Sequence, residues 1–145
     1  MKIATGGRVV VCDGGRFVVY ENHGDTDRID LRVAESATLP NPPTRQQGDD
    51  RPGRYPAPGG QRSAVGQTDW HEEAEKRFLS ELAAKIDQWA SASLANKYVL
   101  IAPPRAIGHL RTQLSHHAED QMLASVTGDY AHQPADKIEI LIGSI

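Results

Sequence analysis

Several short stretches of the chain carry residue types that could do chemistry, and the first is the tripeptide Gly59-Gly60-Gln61. Two glycines allow the backbone to come close to a crowded ester, because neither carries a side chain. A backbone amide or the glutamine can then orient an attacking water and stabilise the oxyanion that forms. These three residues are therefore candidate catalytic residues for ester hydrolysis. The alternative is an accidental tripeptide in a glycine-rich linker.

A second candidate site combines Arg105, His109 and Arg111, which follow the apolar run Tyr98-Val99-Leu100-Ile101-Ala102. Open α/β sheets commonly bind ligands beyond the carboxyl ends of their strands, and the start of a helix favours anions. We therefore predict that these three residues bind a ligand. The alternative is that the prolines before them only shape a strand-to-helix turn and that the arginines face solvent.

The sequence signals for metal or cofactor binding are weaker than those for the two candidate sites above. The stretch His71-Glu72-Glu73-Ala74-Glu75 resembles a zinc-binding helix, but Glu75 stands where the second histidine of that motif would fall. The pair His116-His117 is predicted to end a helix, where the helix dipole favours imidazoles. The sequence has no nucleophile elbow, phosphate-binding loop or dinucleotide fingerprint. We predict no metal and no cofactor.

The elements that must position these residues come from one chain of 145 residues with a net charge of −3. That length can bury about two-thirds of the unfolded surface in one core, so we predict a single domain over residues 1–145. Acidic and basic residues are interspersed, which gives no overall electrostatic footprint for nucleic acid or an anionic membrane. The lone Cys12, the absence of a signal-like start and the absence of a long apolar run predict a cytoplasmic protein without membrane insertion.

The pattern of apolar residues predicts the secondary structure of the first half of the chain. Strands at 9–12 and 16–20 form a hairpin whose connection, Asp13-Gly14-Gly15, permits positive φ angles at its glycines. Alternation at 29–37 predicts a third strand with one buried face. Three- and four-residue spacing predicts a long amphipathic helix from Trp70 to about Ala92, capped by Asp69.

Residues 41–67 are predicted to form a mobile loop, because they hold several prolines and glycines and almost nothing large and apolar. The loop carries the tripeptide and four arginines, Arg45, Arg51, Arg54 and Arg62. Guanidinium groups can track phosphates, which would make this segment an RNA contact. Asp49, Asp50 and Asp69 dilute that charge, and a solvated loop is the simpler interpretation.

The second half of the chain alternates helices and strands. The run 98–102 has no polar alternation, as expected of a central strand covered on both faces. Ile107, Leu110 and Leu114 mark one face of a second helix, 122–126 reads as a short strand, and Pro134 opens a terminal helix. The predicted order is β-β-β-α-β-α-β-α, which gives an α/β fold with a mixed sheet and packed helices.

Three stretches resemble one bacterial family, the host attachment proteins, or proteins required for attachment to host cells. They are Val9-Val10-Val11-Cys12-Asp13-Gly14-Gly15-Arg16, His71-Glu72-Glu73-Ala74-Glu75-Lys76-Arg77-Phe78 and Val99-Leu100-Ile101-Ala102-Pro103-Pro104-Arg105-Ala106-Ile107-Gly108-His109-Leu110-Arg111. The family's architecture resembles the middle domain of eukaryotic-type release factors and their Pelota relatives. Release factors use a Gly-Gly-Gln tripeptide at the corresponding place to hydrolyse peptidyl-tRNA.

The resemblance leaves two functions open. The first is a non-enzymatic binding or regulatory module with a role in attachment to host cells, acting through an unidentified protein partner. The second is a translation-associated protein that binds RNA or the ribosome, or that hydrolyses peptidyl-tRNA through Gly59-Gly60-Gln61. Pairing of two copies of the chain is compatible with either function.

Overall fold

The computed structural model describes residues 1–39 and 57–145 of the chain, and the side chains of residues 1–39 and 70–145. These residues form five strands, β1 (Arg8–Cys12), β2 (Arg16–Asn22), β3 (Leu31–Thr38), β4 (Tyr98–Ala102) and β5 (Met122–Thr127). They also form four helices, α1 (Ala57–Ser91), α2 (Pro104–Gln113), α3 (His116–Asp120) and α4 (Ala135–Ser144). The predicted element order is confirmed, with the short α3 added before β5.

The strands form one mixed sheet in the order β3-β2-β1-β4-β5. β1, β2 and β3 pair antiparallel, whereas β1, β4 and β5 pair parallel, as short turns and helical crossovers respectively require. All five residues of β4 are buried, which confirms the prediction of a strand covered on both faces. β1 rather than β4 occupies the middle of the sheet.

Helices lie on both faces of this sheet and give an α/β/α arrangement. One apolar cluster packs α1, α2 and α3 against strand residues such as Val10 and Leu100. The other packs α4 and the N-terminal Ile3 against residues such as Val11 and Ile101. Because side chains of a strand alternate between faces, neighbouring residues of β4 contribute to different clusters. The mixed α/β prediction is therefore confirmed.

The turn between β1 and β2 is held by a side chain rather than by unusual backbone angles. Oδ1 of Asp13 accepts hydrogen bonds from the backbone N–H groups of Gly15 and Arg16, each at 2.8 Å. Among the described glycines only Gly6 has a positive φ, at 85°. The prediction that the turn glycines supply positive φ angles is wrong, because the Asp13 carboxylate replaces that requirement.

β3 contains an irregularity that the alternating pattern concealed. Its pairing with β2 shifts between Val33 and Glu35, so Ala34 has no partner. An extra residue of this kind turns the side chains that follow it to the other face of the sheet. Leu31 is the buried residue of the strand, and Val33 is 59% exposed. The prediction of one continuous buried face is therefore wrong.

α1 begins at Ala57 rather than at Trp70 and ends at Ser91. Residues 57–67, which we expected in a loop, belong to the helix, and the predicted cap Asp69 lies inside it. Apolar periodicity reveals a helix only where the helix packs on a core, and this first part of α1 lacks large apolar residues. Residues 40–56, with Arg45, Arg51 and Arg54, lie outside the described residues, and the mobility of that segment stays a prediction.

The connection from α2 to β5 also differs from its prediction. His116 and His117 begin α3 rather than ending a helix, since α2 ends at Gln113. Ser115 separates the two helices, and its Oγ accepts a hydrogen bond from the backbone N–H of Ala118 at 3.1 Å. A serine at this position stabilises a helix start. No helix within the described ranges is both long and apolar enough to cross a bilayer.

Candidate functional site

A cleft of about 500 Å³ lies between α1 and α2, beyond the carboxyl ends of β1 and β4. Its base is apolar and includes Leu79 and Ala106. Its polar wall consists of two carboxylates, two cations and an imidazole, from Glu72, Glu75, Lys76, Arg105 and His109. A cleft of this size with a few converging polar groups is the ordinary form of a ligand site.

Helical spacing explains how the two walls form. Glu72, Glu75 and Lys76 stand three and four residues apart, so they share one face of α1 and lie above Leu79. Arg105 and His109 stand four residues apart and share one face of α2. The cleft therefore opens where these two helix faces meet.

The charges of the cleft are balanced and accessible. Nη2 of Arg105 lies 3.6 Å from Oε1 of Glu72, and the two side chains are 75% and 46% exposed. An exposed pair of this kind contributes little to stability, so both groups can exchange this contact for one with a ligand. Carboxylates and cations on the same wall favour a ligand that itself carries both signs of charge over a simple anion.

His109 is fixed in the cleft wall by a residue that the sequence did not single out. Its Nε2 lies 3.1 Å from Oγ of Ser80, which joins α2 to α1. A serine beside a histidine can begin nucleophilic catalysis, but a third group must then orient the imidazole. No carboxylate among the described residues pairs with His109, and Ser80 does not line the cleft. The contact is therefore best explained as a structural hydrogen bond that orients the imidazole.

Arg111 is not part of the cleft. Its Nη2 donates a hydrogen bond to Oγ of Ser125 on β5 at 3.0 Å. Arg105 and His109 occupy one face of α2, and the two-residue step from His109 to Arg111 turns the side chain to another face. The structure therefore brings two of the three predicted binding residues together and places the third against the sheet.

The turn glycine Gly14 closes the cleft on the strand side. A Cβ atom added to Gly14 would lie 2.8 Å from Oε2 of Glu75. The absence of a side chain at this position allows the Glu75 carboxylate to lie against the β1–β2 turn. The sequence identified Gly14 only as a turn residue, because nothing local indicates that a helix distant in the chain packs beside it.

The tripeptide Gly59-Gly60-Gln61 lies in the first turns of the α1 backbone, and its side chains lie outside the part of the chain whose side chains the structure describes. The hydrolysis hypothesis rested on a loop that could approach an ester. A helical backbone at these residues contradicts the loop placement and removes that support.

The reactivity of Cys12 bears on catalysis, and the distribution of possible ligand side chains bears on metal binding. Burial, with a smaller contribution from the charge of Asp13, raises the pKa of the Cys12 thiol to about 12. The thiolate is the nucleophilic form of cysteine, so Cys12 is unreactive near neutral pH. Within the described residues, no three side chains of the types His, Cys, Asp and Glu lie close enough together to hold a metal ion.

Helices on both faces of a mixed sheet, with a polar cleft beyond the strand ends, define an α/β domain with a ligand-sized site. A family model described as protein required for attachment to host cells matches residues 8–141. The chain belongs to this family, which confirms the resemblance found in the sequence. The match includes all five described strands and every residue of the cleft. The chain has no match among curated proteins.

Proposed function

We propose that this protein acts in attachment to host cells as a non-enzymatic binding module, and that the cleft between α1 and α2 holds a segment of a protein partner. The observation that carries the proposal is the family match over residues 8–141, which includes the whole cleft. The family description supplies the role in attachment, and the cleft supplies a place where binding can occur.

The charges of the cleft support a protein segment as its occupant. A polypeptide carries carboxylates and cations together, and it can pair with Arg105 and Lys76 on one side and with Glu72 and Glu75 on the other. The apolar base at Leu79 and Ala106 can cover an apolar side chain between them. Neither feature favours a polyanion such as RNA.

The reactive groups of the described residues support binding rather than catalysis. Ser80 contacts His109 but lies outside the cleft, and the Cys12 thiol stays protonated near neutral pH. Nucleophilic catalysis needs the nucleophile, its base and an orienting group in one accessible place. Turnover of an ester substrate by the purified protein, lost in Ser80→Ala, would contradict the non-enzymatic part of the proposal.

Attachment of a deletion strain tests the proposal when the strain is complemented with defined variants. Arg105→Ala combined with His109→Ala removes two polar groups from the cleft wall, and we expect attachment to fall toward that of the deletion strain. Arg32→Ala is the matched control, because Arg32 is also an exposed arginine paired with a carboxylate, Asp30, at 3.1 Å, away from the cleft. Normal attachment with the double variant, at wild-type protein abundance, would contradict the proposal.

The runner-up function, a role in translation, makes a different prediction. The protein would co-sediment with ribosomes, and that association would be sensitive to salt because phosphate contacts are electrostatic. Our proposal predicts that the purified protein does not co-sediment at physiological ionic strength. Stable co-sedimentation that survives a wash with non-specific RNA would favour the translation role instead.

A further inference from the structure

A second cavity lies on the same face of the sheet as the cleft, at the opposite end of β1. It has a volume of about 350 Å³ and is bounded by the C-terminal half of α1 and by β1, β2 and β3. Most of its wall is apolar and comes from Val10, Val19, Leu82, Ile86 and Trp89. None of the described residues lines both this cavity and the cleft.

Arg8 contributes a cation to the lining of this apolar space. The Cζ atom of Arg8 lies 4.6 Å from the centre of the Trp89 ring, an arrangement in which the ring attracts the guanidinium. The backbone N–H of Arg8 donates to the carbonyl of Lys97 at 3.1 Å, which fixes the residue at the start of β1. Both the backbone and the guanidinium of Arg8 are therefore held in place.

One hydrogen-bond donor of the Arg8 guanidinium lacks an acceptor within the described part of the chain. Nε of Arg8 is buried, and it has no hydrogen-bond acceptor among the residues that the structure describes. A buried donor without an acceptor is unfavourable, and more so when it belongs to a charged group. An anionic oxygen meets this requirement best, because hydrogen bonds between ions are stronger than those between neutral groups.

We propose that this cavity binds a small amphipathic carboxylate, with its carboxylate at Arg8 and its apolar body along Ile86 and Trp89. A carboxylate matches a single guanidinium in charge and in its planar, two-oxygen geometry. An apolar body matches the remaining wall, and the volume lies within the range of about 300–1,000 Å³ that is typical of ligand pockets.

The rim of the cavity argues against a doubly charged phosphate. The second cation there, Lys85, already lies 2.8 Å from Oε2 of Glu35, and this pair bridges α1 to β3 across the opening. Among the cavity-lining residues that the structure describes, Arg8 is therefore the cation without a paired carboxylate, and it fits a ligand with a single negative charge. This proposal does not rest on the proposed role of the cleft in attachment, since the two cavities share no lining residue within the described part of the chain.

Fluorescence of Trp89 gives a direct assay. The chain has two tryptophans, so a Trp70→Phe background leaves Trp89 as the sole reporter. We expect octanoate, below its micelle concentration, to change this fluorescence with saturation, and acetate to do so only at concentrations at least about tenfold higher because it buries no apolar chain. Octylamine has the same chain with the opposite charge and should not compete. Equal binding of octylamine, or no saturable binding of octanoate, would overturn the proposal.

Variants separate the charge from the shape of the site. In the same background, Arg8→Met keeps an unbranched side chain without the guanidinium and should weaken octanoate binding at least about tenfold, while the matched rim variant Lys85→Met should change it less than about twofold. Ile86→Phe is the alternative variant if Arg8→Met fails to fold. It leaves Arg8 in place and narrows the apolar space, so it should weaken the binding of octanoate more than the binding of acetate. Binding that is unchanged in both Arg8→Met and Ile86→Phe would show that octanoate binds elsewhere.

Discussion

Strand β4 and the cleft beyond its end are neighbours in the chain, yet they differ in exposure and charge. The five side chains of β4 are 0% exposed. Arg105, only a few residues later, is 75% exposed and lies 3.6 Å from a carboxylate that is itself 46% exposed. The comparison indicates that stability comes from the strand, whereas our proposal assigns recognition to the turn and helix that follow it. Substitutions in the two regions should therefore have separable effects.

The largest expected effect is on the strand side. Leu100→Ala removes a side chain that is 0% exposed and packs with α1 and α2. It should lower the free energy of unfolding by about 2–5 kcal/mol, because the lost apolar contacts leave a cavity. Denaturant unfolding measures this loss, and attachment should fall with the amount of folded protein. A loss of unfolding free energy below about 1 kcal/mol would contradict the difference between β4 and the cleft, since such values are typical of surface sites.

Alkaline pH should destabilise the strand region through Cys12. Burial raises the pKa of this thiol from 9.0 to about 12, so above about pH 9 the unfolded chain releases a proton that the folded chain keeps. Fewer protons in the unfolded state mean that stability falls as pH rises. The contribution of Cys12 should reach about 1–3 kcal/mol near pH 11.

Thermal unfolding at pH 8 to 11 isolates this contribution when Cys12→Ala serves as the control. The substitution lowers stability at every pH by leaving a small cavity, but it removes the titrating group. The pH dependence of the variant should therefore be shallower than that of the wild type. Equal slopes would show that the thiol ionises equally easily in both states.

A smaller effect is expected from Tyr98→Phe, which keeps the ring and removes one hydroxyl. That hydroxyl donates a buried hydrogen bond to the carbonyl of Ala118 at 2.8 Å, and so joins β4 to α3. Its removal should cost about 1 kcal/mol, as is usual for a single hydrogen bond. Denaturant unfolding should show this loss without a change in attachment. A reduction in attachment at unchanged stability would place β4 in recognition and weaken the comparison.

Gly14 lies where the sheet meets the cleft, in the turn that follows β1, so Gly14→Ala probes the boundary between the two. The added methyl group would lie 2.8 Å from Oε2 of Glu75, the end of a flexible side chain that can move away. Stability should change by less than about 0.5 kcal/mol, because Gly14 does not have a positive φ. Displacement of the Glu75 carboxylate should nevertheless alter the cleft and reduce attachment.

Gly143→Ala is the matched control for that substitution, because a Cβ atom there meets nothing within 4 Å and Gly143 lies in α4, away from the cleft. We expect both stability and attachment to stay at wild-type levels with this variant. If Gly143→Ala reduced attachment as much as Gly14→Ala, the effect could not be assigned to the cleft.

Local patterns in the sequence predicted the parts of the fold that depend on burial alone. The apolar run of β4 and the three-residue and four-residue spacing of Ile107, Leu110 and Leu114 each identified an element that the structure confirms. The irregularity at Ala34 was not visible, because a single extra residue leaves the composition of a strand unchanged. The start of α1 was also missed, because its first turns carry no apolar stripe.

The candidate site was predictable where one element determines it and not where two elements meet. Arg105 and His109 were found because both follow the carboxyl end of a strand and lie near the start of a helix. Glu75 and Ser80 were missed, because their roles depend on how α1 packs beside the β1–β2 turn and α2. Arg111 was assigned to the same site on proximity in sequence, although its position on α2 directs it toward Ser125.

The central claim is that recognition by the cleft is separable from the stability of the sheet, and Arg105→Ala tests it most directly. Arg105 contributes one exposed ion pair, so its removal should change the free energy of unfolding by less than about 0.5 kcal/mol. Attachment of the complemented deletion strain should nevertheless fall clearly below that of the Arg32→Ala control. Attachment equal to the control, at equal protein abundance, would contradict the account.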